Sequence, residues 1–189
     1  MVFFFFFFQV RLFGSASNNK IVIRAEEIGG AIIECSTTGQ NILNIDAGEF
    51  FEIKGLIFQG GSIGLRLGSG SLVTDTVKDA LFEDLEVKNT RDSLITANQG
   101  PTGQLKIHDR LTFRRLKLHH PLNTAGKNEC MYLGSNLDGA NEKVIVQNSI
   151  IEYCYCHDTV PAEPGFGAGL QLKPGSNRNI VRFSKIFSF

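Results

Sequence analysis

The side chains best suited to acid–base chemistry lie in the last third of the chain. Lys173 follows a short alternating apolar segment, Arg182 lies in the next one, and His157 precedes both. A lysine acts as a general base only when its pKa is lowered from about 10.4 towards about 7–8 by desolvation or nearby positive charge. A lysine at a strand end is otherwise a solvated charge. We therefore treat Lys173, Arg182 and His157 as candidate catalytic residues, with a surface role for Lys173 as the alternative.

Two long segments predicted as loops carry further polar groups. The first, 119–130, begins with His119 and His120, and the second, 152–169, contains Asp158 and Glu163. Adjacent histidines would suit a metal site, but no second ligand cluster follows at zinc spacing, so we predict no metal. Two carboxylates would suit a glycoside hydrolase if they lay about 5–9.5 Å apart.

Composition limits the class of protein. The chain has 189 residues, enough for one domain, and equal numbers of basic and acidic side chains, 19 of each. No basic face stands out, which argues against a nucleic-acid partner. The 20 glycines and the absence of tryptophan, together with many Val, Ile and Phe residues, favour short strands joined by turns.

The cysteines and the first residues remain ambiguous. Buried thiols are the favoured interpretation of Cys35, Cys130, Cys154 and Cys156, over metal ligands or a disulfide. Residues 1–17 form a Phe-rich, low-complexity start, which is either a degenerate signal peptide, implying secretion, or a fragmentary beginning. Its six consecutive phenylalanines are too few to cross a bilayer, so we predict no membrane span.

Internal repeats predict the fold. An eight-residue apolar pattern recurs at 51–58, 80–87, 111–118, 144–151 and 179–186, with a less regular copy within 21–34. A shorter pattern alternates with it at 43–45, 65–67, 94–96, 131–133 and 170–172. Period-two strands that recur once per coil must stack in parallel on the next coil. We predict a single domain over 18–189: an all-β, right-handed, single-stranded parallel β-helix of about six coils, each with three short strands.

Alternation assigns the two sides of each strand. In the long pattern the inward residues include Phe51, Ile53, Phe58, Phe82 and Leu118. Along the short pattern the predicted outward residues are Asn44, Arg66, Ile95, Tyr132 and Gln171, followed by Asp46, Gly68, Ala97, Gly134 and Lys173. The segments 119–130 and 152–169 would form a wall beside this face. A groove of this kind predicts binding of an extended polymer by Arg66, Tyr132, Gln171, His119, Asp158 and Glu163.

Three stretches carry a resemblance to a known family. FEIKGLIFQGGSIGLRL (51–67), YCYCHDT (153–159) and GLQLKPGSNRNIVR (169–182) resemble the pectin-lyase-like right-handed parallel β-helix superfamily, and the resemblance covers about residues 18–187. That superfamily includes polysaccharide lyases, glycoside hydrolases, epimerases and non-catalytic repeat proteins. The resemblance therefore implies an extracellular protein that binds a uronate polysaccharide and cleaves it by β-elimination, or a non-catalytic binding module.

The resemblance also implies roles for particular residues. In the lyases, a Lys or Arg takes the C5 proton and Ca²⁺ held by carboxylates neutralises the uronate, which matches Lys173 with Arg182 as its partner. Asp46 is the only carboxylate on the predicted face, so Ca²⁺ is not indicated. Because the sequence stops at a strand without an amphipathic cap, we expect a monomer or a piece of a longer chain.

Overall fold

The structure, a computed structural model, describes residues 2–4, 8–122, 128–136, 143–159 and 169–187, with only the backbone for 2–4 and Phe8. Within these residues the chain forms strands and turns and no helix. The strands are β1 (Val2–Phe4), β2 (Phe8–Phe13), β3 (Ile21–Arg24), β4 (Ala31–Cys35), β5 (Leu43–Lys54), β6 (Leu56–Gly60), β7 (Leu65–Leu67), β8 (Val77–Glu83), β9 (Glu86–Lys88), β10 (Ile95–Ala97), β11 (Leu105–Arg114), β12 (Lys117–His119), β13 (Met131–Leu133), β14 (Lys143–Gln147), β15 (Ile150–Glu152), β16 (Tyr155–His157), β17 (Leu170–Leu172), β18 (Ile180–Arg182) and β19 (Lys185–Ile186).

The strands form two curled sheets, and every pairing between named strands is parallel. A seven-stranded sheet runs β1-β4-β6-β9-β12-β16-β19, and a twelve-stranded sheet contains the remaining strands. The larger sheet contains two rows of stacked strands. The first, here called the short row, consists of the start of β5 with β7, β10, β13 and β17. The second, here called the central row, consists of β3, the end of β5, β8, β11, β15 and β18. Each strand pairs with its equivalent in the next repeat. This arrangement confirms the predicted parallel stacking and is compatible with a β-solenoid.

The Phe-rich start contributes to both sheets. β1 pairs with β4, and β2 pairs with β5 from Phe8 opposite Leu43 to Phe13 opposite Glu49. The register shifts between Val10 and Arg11, as at a β-bulge. The boundary at residue 18 stays a prediction, since pairing alone does not define where a domain begins.

Residues with left-handed backbone mark recurring bends, some within strands and some between them. Among the described residues, twelve other than glycine have φ between 47° and 56°, a region that such residues rarely adopt. They stack in three columns: Phe50, Asp79, Arg110, Asn148 and Arg178; Asp84, Arg115, Tyr153 and Phe183 with Gly55; and Asn89, His120 and Asp158 with Gly60. The second column lies at the break that the long pattern predicts.

The core lies between the two sheets and is built from the predicted inward residues. Phe51, Ile53, Phe58 and Phe82 are fully buried, and Leu118 is nearly so. The ring of Phe82 contacts Phe51 edge-on and stacks on Phe113, with centroids 5.8 and 5.2 Å apart. Equivalent side chains of successive repeats therefore stack on one another and form one continuous core.

The predicted short copy at 94–96 is wrong by one residue. Ile95 pairs with Leu65 and is buried, and Thr96 pairs with Arg66. The outward position therefore belongs to Thr96, with Asn98 after it. A one-residue slip exchanges the two faces of a strand. The local pattern did not reveal it, because Leu94 is apolar and buried as well.

The predicted long copy at 144–151 is wrong by five residues. Ile150 and Ile151 pair with Thr112 and Phe113, so the equivalent of 111–118 is 149–156. The apolar run at 144–146 belongs instead to β14, which extends the pairing of β11. The predicted loop 152–169 consequently includes strand β16.

The prediction that all four cysteines are free thiols is also wrong. Cys130 and Cys156 form a disulfide, with their Cα atoms 6.1 Å apart. Cys156 lies on β16, which stacks on β12, and Cys130 directly precedes β13. The spacing of the two cysteines along the sequence does not reveal that they are close. Cys35 and Cys154 are free thiols, and Cys154 is buried as predicted.

Candidate functional site

A line of polar side chains follows the outer side of the short row. One residue from each strand lies in register between two apolar residues; the line, here called the polar line, comprises Gln9, Asn44, Arg66, Thr96, Tyr132 and Gln171. Neighbouring strands place these residues about 4.8 Å apart. The polar line contains amide, hydroxyl and guanidinium groups and no carboxylate. Gln9 is exposed and Arg66, Tyr132 and Gln171 are half-buried, whereas Asn44 and Thr96 are buried.

Lys173 joins the polar line through Tyr132. Its Nζ lies 4.5 Å from the centroid of the Tyr132 ring, a cation–π contact. The backbone N–H of Lys173 donates to the carbonyl of Leu133 (2.9 Å), which fixes the residue at the end of β17. The attraction to the ring depends on the ammonium charge, and a neutral amine would lose it. Lys173 Nζ and the Tyr132 ring thus lie together at one end of the polar line.

The carboxylates beside the polar line already accept hydrogen bonds. Gln9 Nε2 and Ser69 Oγ each donate to Asp46 at 2.6 Å. Ser93 Oγ donates to Glu129 (2.7 Å), and Gln171 Nε2 approaches the same carboxylate at 3.4 Å. Each of these acids thus accepts hydrogen bonds from neutral side chains.

Two oxygen atoms in the middle of the short row are buried without a hydrogen-bond partner in the described part of the chain: Thr96 Oγ1 and Asn98 Oδ1. A buried polar atom left without a partner costs about 1–3 kcal/mol. Both atoms are shielded from the surface, so a buried water is the partner that suits them.

His119, His120 and His157 form a second cluster, on the seven-stranded sheet. The rings of His119 and His157 stack with centroids 4.8 Å apart, and the ring nitrogens of His119 and His120 lie 2.6 Å apart. Asp158 pairs with His157 Nδ1 at 2.7 Å, and Glu86 pairs with His119 Nε2 at 2.8 Å. The structure thus brings His119, His157 and Asp158 together, but on the seven-stranded sheet and not in the short row that holds Arg66, Tyr132 and Gln171.

Hydrogen bonds in this cluster stabilise the ionised forms of Glu86 and Asp158. Burial raises the pKa of Glu86, but hydrogen bonds from His119 and Lys117 outweigh that effect and lower it to about 2. The hydrogen bond with His157 lowers the pKa of Asp158. Burial lowers the pKa of His119, against the opposing effect of Glu86. In the ranges described by the structure, no group of three or more His, Cys, Asp or Glu side chains has a geometry suited to a metal ion.

Arg182 lies in the central row and takes part in a ladder of ion pairs. It binds Glu152 at 2.7 Å, and the same carboxylate binds Arg114 at 2.6 Å. The charges alternate in sign along one column, here called the charge ladder: Lys54, Glu83, Arg114, Glu152 and Arg182. Arg182 thus has a structural partner in a row that Lys173 does not share. The charges of Lys54, Glu83, Arg114 and Arg182 stand at the same offset of the long pattern, but Glu152 was missed because the copy at 144–151 was placed five residues early.

The predicted wall of the groove is described only in part. Glu163 lies outside the described residues, as do 123–127 and 160–168 of the two long segments. An open groove does lie on the outer surface of the central row, beside Lys20, Asp79 and Arg110. Its charges are already paired, Arg110 with Asp79 at 2.6 Å and Lys20 with Glu52 at 2.8 Å.

No protein-family model, curated protein or solved structure matches the chain. The described residues include no helix long and apolar enough to cross a membrane.

Proposed function

We propose that the chain is a right-handed parallel β-helix of about six coils, of the pectin-lyase-like kind, that binds an acidic polysaccharide outside the cell. The polymer lies along the polar line. The observation that carries this proposal is the register of hydrogen-bonding side chains from Gln9 to Gln171, with a cation and an aromatic ring together at one end.

Each part of the polar line has a chemical counterpart in a uronate polymer. Amide and hydroxyl groups exchange hydrogen bonds with sugar hydroxyls. The Tyr132 ring offers an apolar face to a sugar ring, and Lys173 supplies positive charge for a uronate carboxylate. The polar line itself contains no acid that would repel the polymer.

Binding without cleavage is the form of the function that these contacts support. β-Elimination needs a base at C5, and the ammonium of Lys173 is held over an aromatic ring. Arg182, the second candidate, is engaged by Glu152. We assign no role to Ca²⁺, since Asp46 is held by Gln9 and Ser69.

Calorimetric titration with polygalacturonate, alginate and chondroitin tests the proposal. The variants Lys173→Met and Tyr132→Ala should each weaken binding by about fivefold or more, as expected for the loss of a cation–π contact and its charge. Lys185→Met removes the same charge from an exposed position on β19 and serves as the matched control, with unchanged binding.

Two results would overturn the proposal: no binding of any of the three polymers, or equal losses in Lys173→Met and Lys185→Met. Formation of unsaturated products, followed by ultraviolet absorbance and lost in Lys173→Ala, would contradict the non-cleaving form and assign Lys173 as the base.

A further inference from the structure

Five side chains of three successive repeats form one continuous series of contacts on the seven-stranded sheet. Glu86 contacts His119 Nε2 at 2.8 Å, and His119 Nδ1 lies 2.6 Å from His120 Nδ1. His120 Nε2 faces Asp158 at 3.4 Å, and the same carboxylate oxygen contacts His157 Nδ1 at 2.7 Å. This series, here called the histidine network, connects β9, β12 and β16.

The partners determine where each ring of the network carries its proton. A hydrogen bond between two ring nitrogens needs one N–H and one bare nitrogen, and a neutral imidazole has one of each. Glu86 accepts from His119 Nε2, so the Nδ1 of neutral His119 is bare and accepts from His120 Nδ1. His120 can then take up a proton at Nε2, opposite Asp158, without losing a contact. A proton on His119 Nδ1, by contrast, would set two N–H groups against each other and break the network.

The geometry opposes additional protons elsewhere in the network as well. His157 Nε2 is buried without a hydrogen-bond partner in the described part of the chain, so an N–H there would lack an acceptor. The rings of His119 and His157 stack with centroids 4.8 Å apart, and two imidazolium charges in that arrangement repel each other.

Other charged and titratable groups face the network from the strands that pack against it. Lys88 on β9 and Lys117 on β12 contact Glu86 at 3.4 and 3.2 Å. The Tyr155 ring on β16 lies 4.4 Å from the ring of His157, and Lys185 on β19 is the register partner of Tyr155. These lysines add to the repulsion that a further proton meets.

We propose that the histidine network is a pH-controlled latch between β9, β12 and β16, closed near neutral pH and opened by proton uptake in mildly acidic solution. His120 directly follows β12 and Asp158 directly follows β16, so the latch joins the starts of the two segments that leave these strands. Opening separates the His120 ring from His119 and loosens the backbone that follows it. This inference does not rest on the polysaccharide proposed for the short row.

The direction of the pH dependence follows from His119. Burial lowers its pKa, so below about pH 6.5 the closed latch binds fewer protons than the open one. The contribution of the latch is therefore complete above that pH and is lost as the pH falls.

The ring resonances of the wild-type protein test the proton arrangement directly. At about pH 7.5, nitrogen chemical shifts should show a bare Nδ1 in His119 and a protonated Nδ1 in His120. A proton on His119 Nδ1 at that pH would refute the latch, and this measurement needs no variant.

Hydrogen exchange at Leu122 measures the opening, because its backbone N–H donates to the carbonyl of Thr90 at 2.7 Å. The N–H of Lys117, which donates to Leu85 at 2.8 Å, is the reference at the other end of β12. Global unfolding exposes both groups, so their ratio reports local opening alone. Protection of Leu122 relative to Lys117 should fall about tenfold or more between about pH 7 and about pH 5.

Two variants locate the effect. His119→Gln offers a donor to Glu86 and an acceptor to His120 but takes up no proton, so the ratio should stay within about twofold over the same range. His108→Gln makes the same substitution at a buried histidine outside the network, and as the matched control it should keep the full change. A wild-type ratio that does not change with pH, or an equal fall in His119→Gln, would overturn the proposal.

Discussion

His108 should make the stability of this protein depend steeply on pH in mildly acidic solution. The side chain is fully buried on β11, and its Nδ1 accepts a hydrogen bond from the backbone N–H of Val77 at 3.0 Å. Lys106 is buried nearby, with its Nζ donating to the carbonyls of Gly68 (2.8 Å) and Gly70 (2.7 Å). Burial, together with the Lys106 charge, lowers the pKa of His108 to about 3.

The size of the effect follows from the difference in pKa between the folded and unfolded states. In the unfolded chain the pKa of a histidine is about 6.5, so below that pH the unfolded state binds one more proton. The contribution of His108 is complete above about pH 6.5 and is lost as the pH falls towards 3, at about 1.4 kcal/mol per pH unit. At about pH 5 the loss amounts to about 2 kcal/mol.

Urea denaturation of the wild type and of His108→Gln across about pH 4 to 6 isolates this contribution. Glutamine retains an acceptor for the Val77 N–H and does not titrate. The free energy of unfolding of the wild type should fall more steeply than that of the variant, by about 1.4 kcal/mol per pH unit. Parallel curves would refute the reasoning. So would a ring C–H resonance of His108 that titrates near its unfolded pKa in the native protein.

Three further predictions concern the core. Phe82→Ala should lower the free energy of unfolding in urea by about 3–5 kcal/mol, while Leu81→Ala on the outer side of the same strand should cost about 1 kcal/mol or less. Thiol titration in denaturant without reductant should find two reactive thiols per chain, and reduction should destabilise the protein by about 2–4 kcal/mol. In Gly64→Ala the new Cβ would lie 2.3 Å from Val87 Cγ1, which should cost about 1–3 kcal/mol, whereas Gly39→Ala meets nothing within 4 Å and should leave the melting temperature unchanged.

Sequence alone predicted the features that repeat from one copy to the next. The inward positions of Phe51, Phe82 and Leu118 followed from period-two alternation, because a half-buried strand exposes alternate residues to different surroundings. The corner at Gly55, Asp84 and Arg115 was located as a break in the same pattern. Of the candidate site, the outward positions of Arg66, Tyr132 and Gln171 were predicted in the same way.

The features that depend on pairing between distant residues could not be read locally. The apolar runs at 144–146 and 150–151 fit the long pattern equally well, and only the pairing with β11 distinguishes them. The same holds for Leu94 and Ile95, which are both apolar and both buried. The disulfide required the correct register of β16, so the error in the fourth copy also concealed it.

The two rows of the larger sheet use charge differently, and this difference bears on function. In a parallel stack each side chain meets its equivalents from the repeats on either side at about 4.8 Å. The central row satisfies this constraint internally, since Arg114 binds both Glu83 and Glu152. Charge there stabilises the stack, and substitutions should chiefly affect folding. In the short row, the polar line has no acid, and Lys173 contacts the ring of Tyr132. Among the described residues, the charge of Lys173 contacts an aromatic ring. The matched loss of charge at Lys173 and Lys185 is therefore the informative comparison for the polysaccharide proposed above.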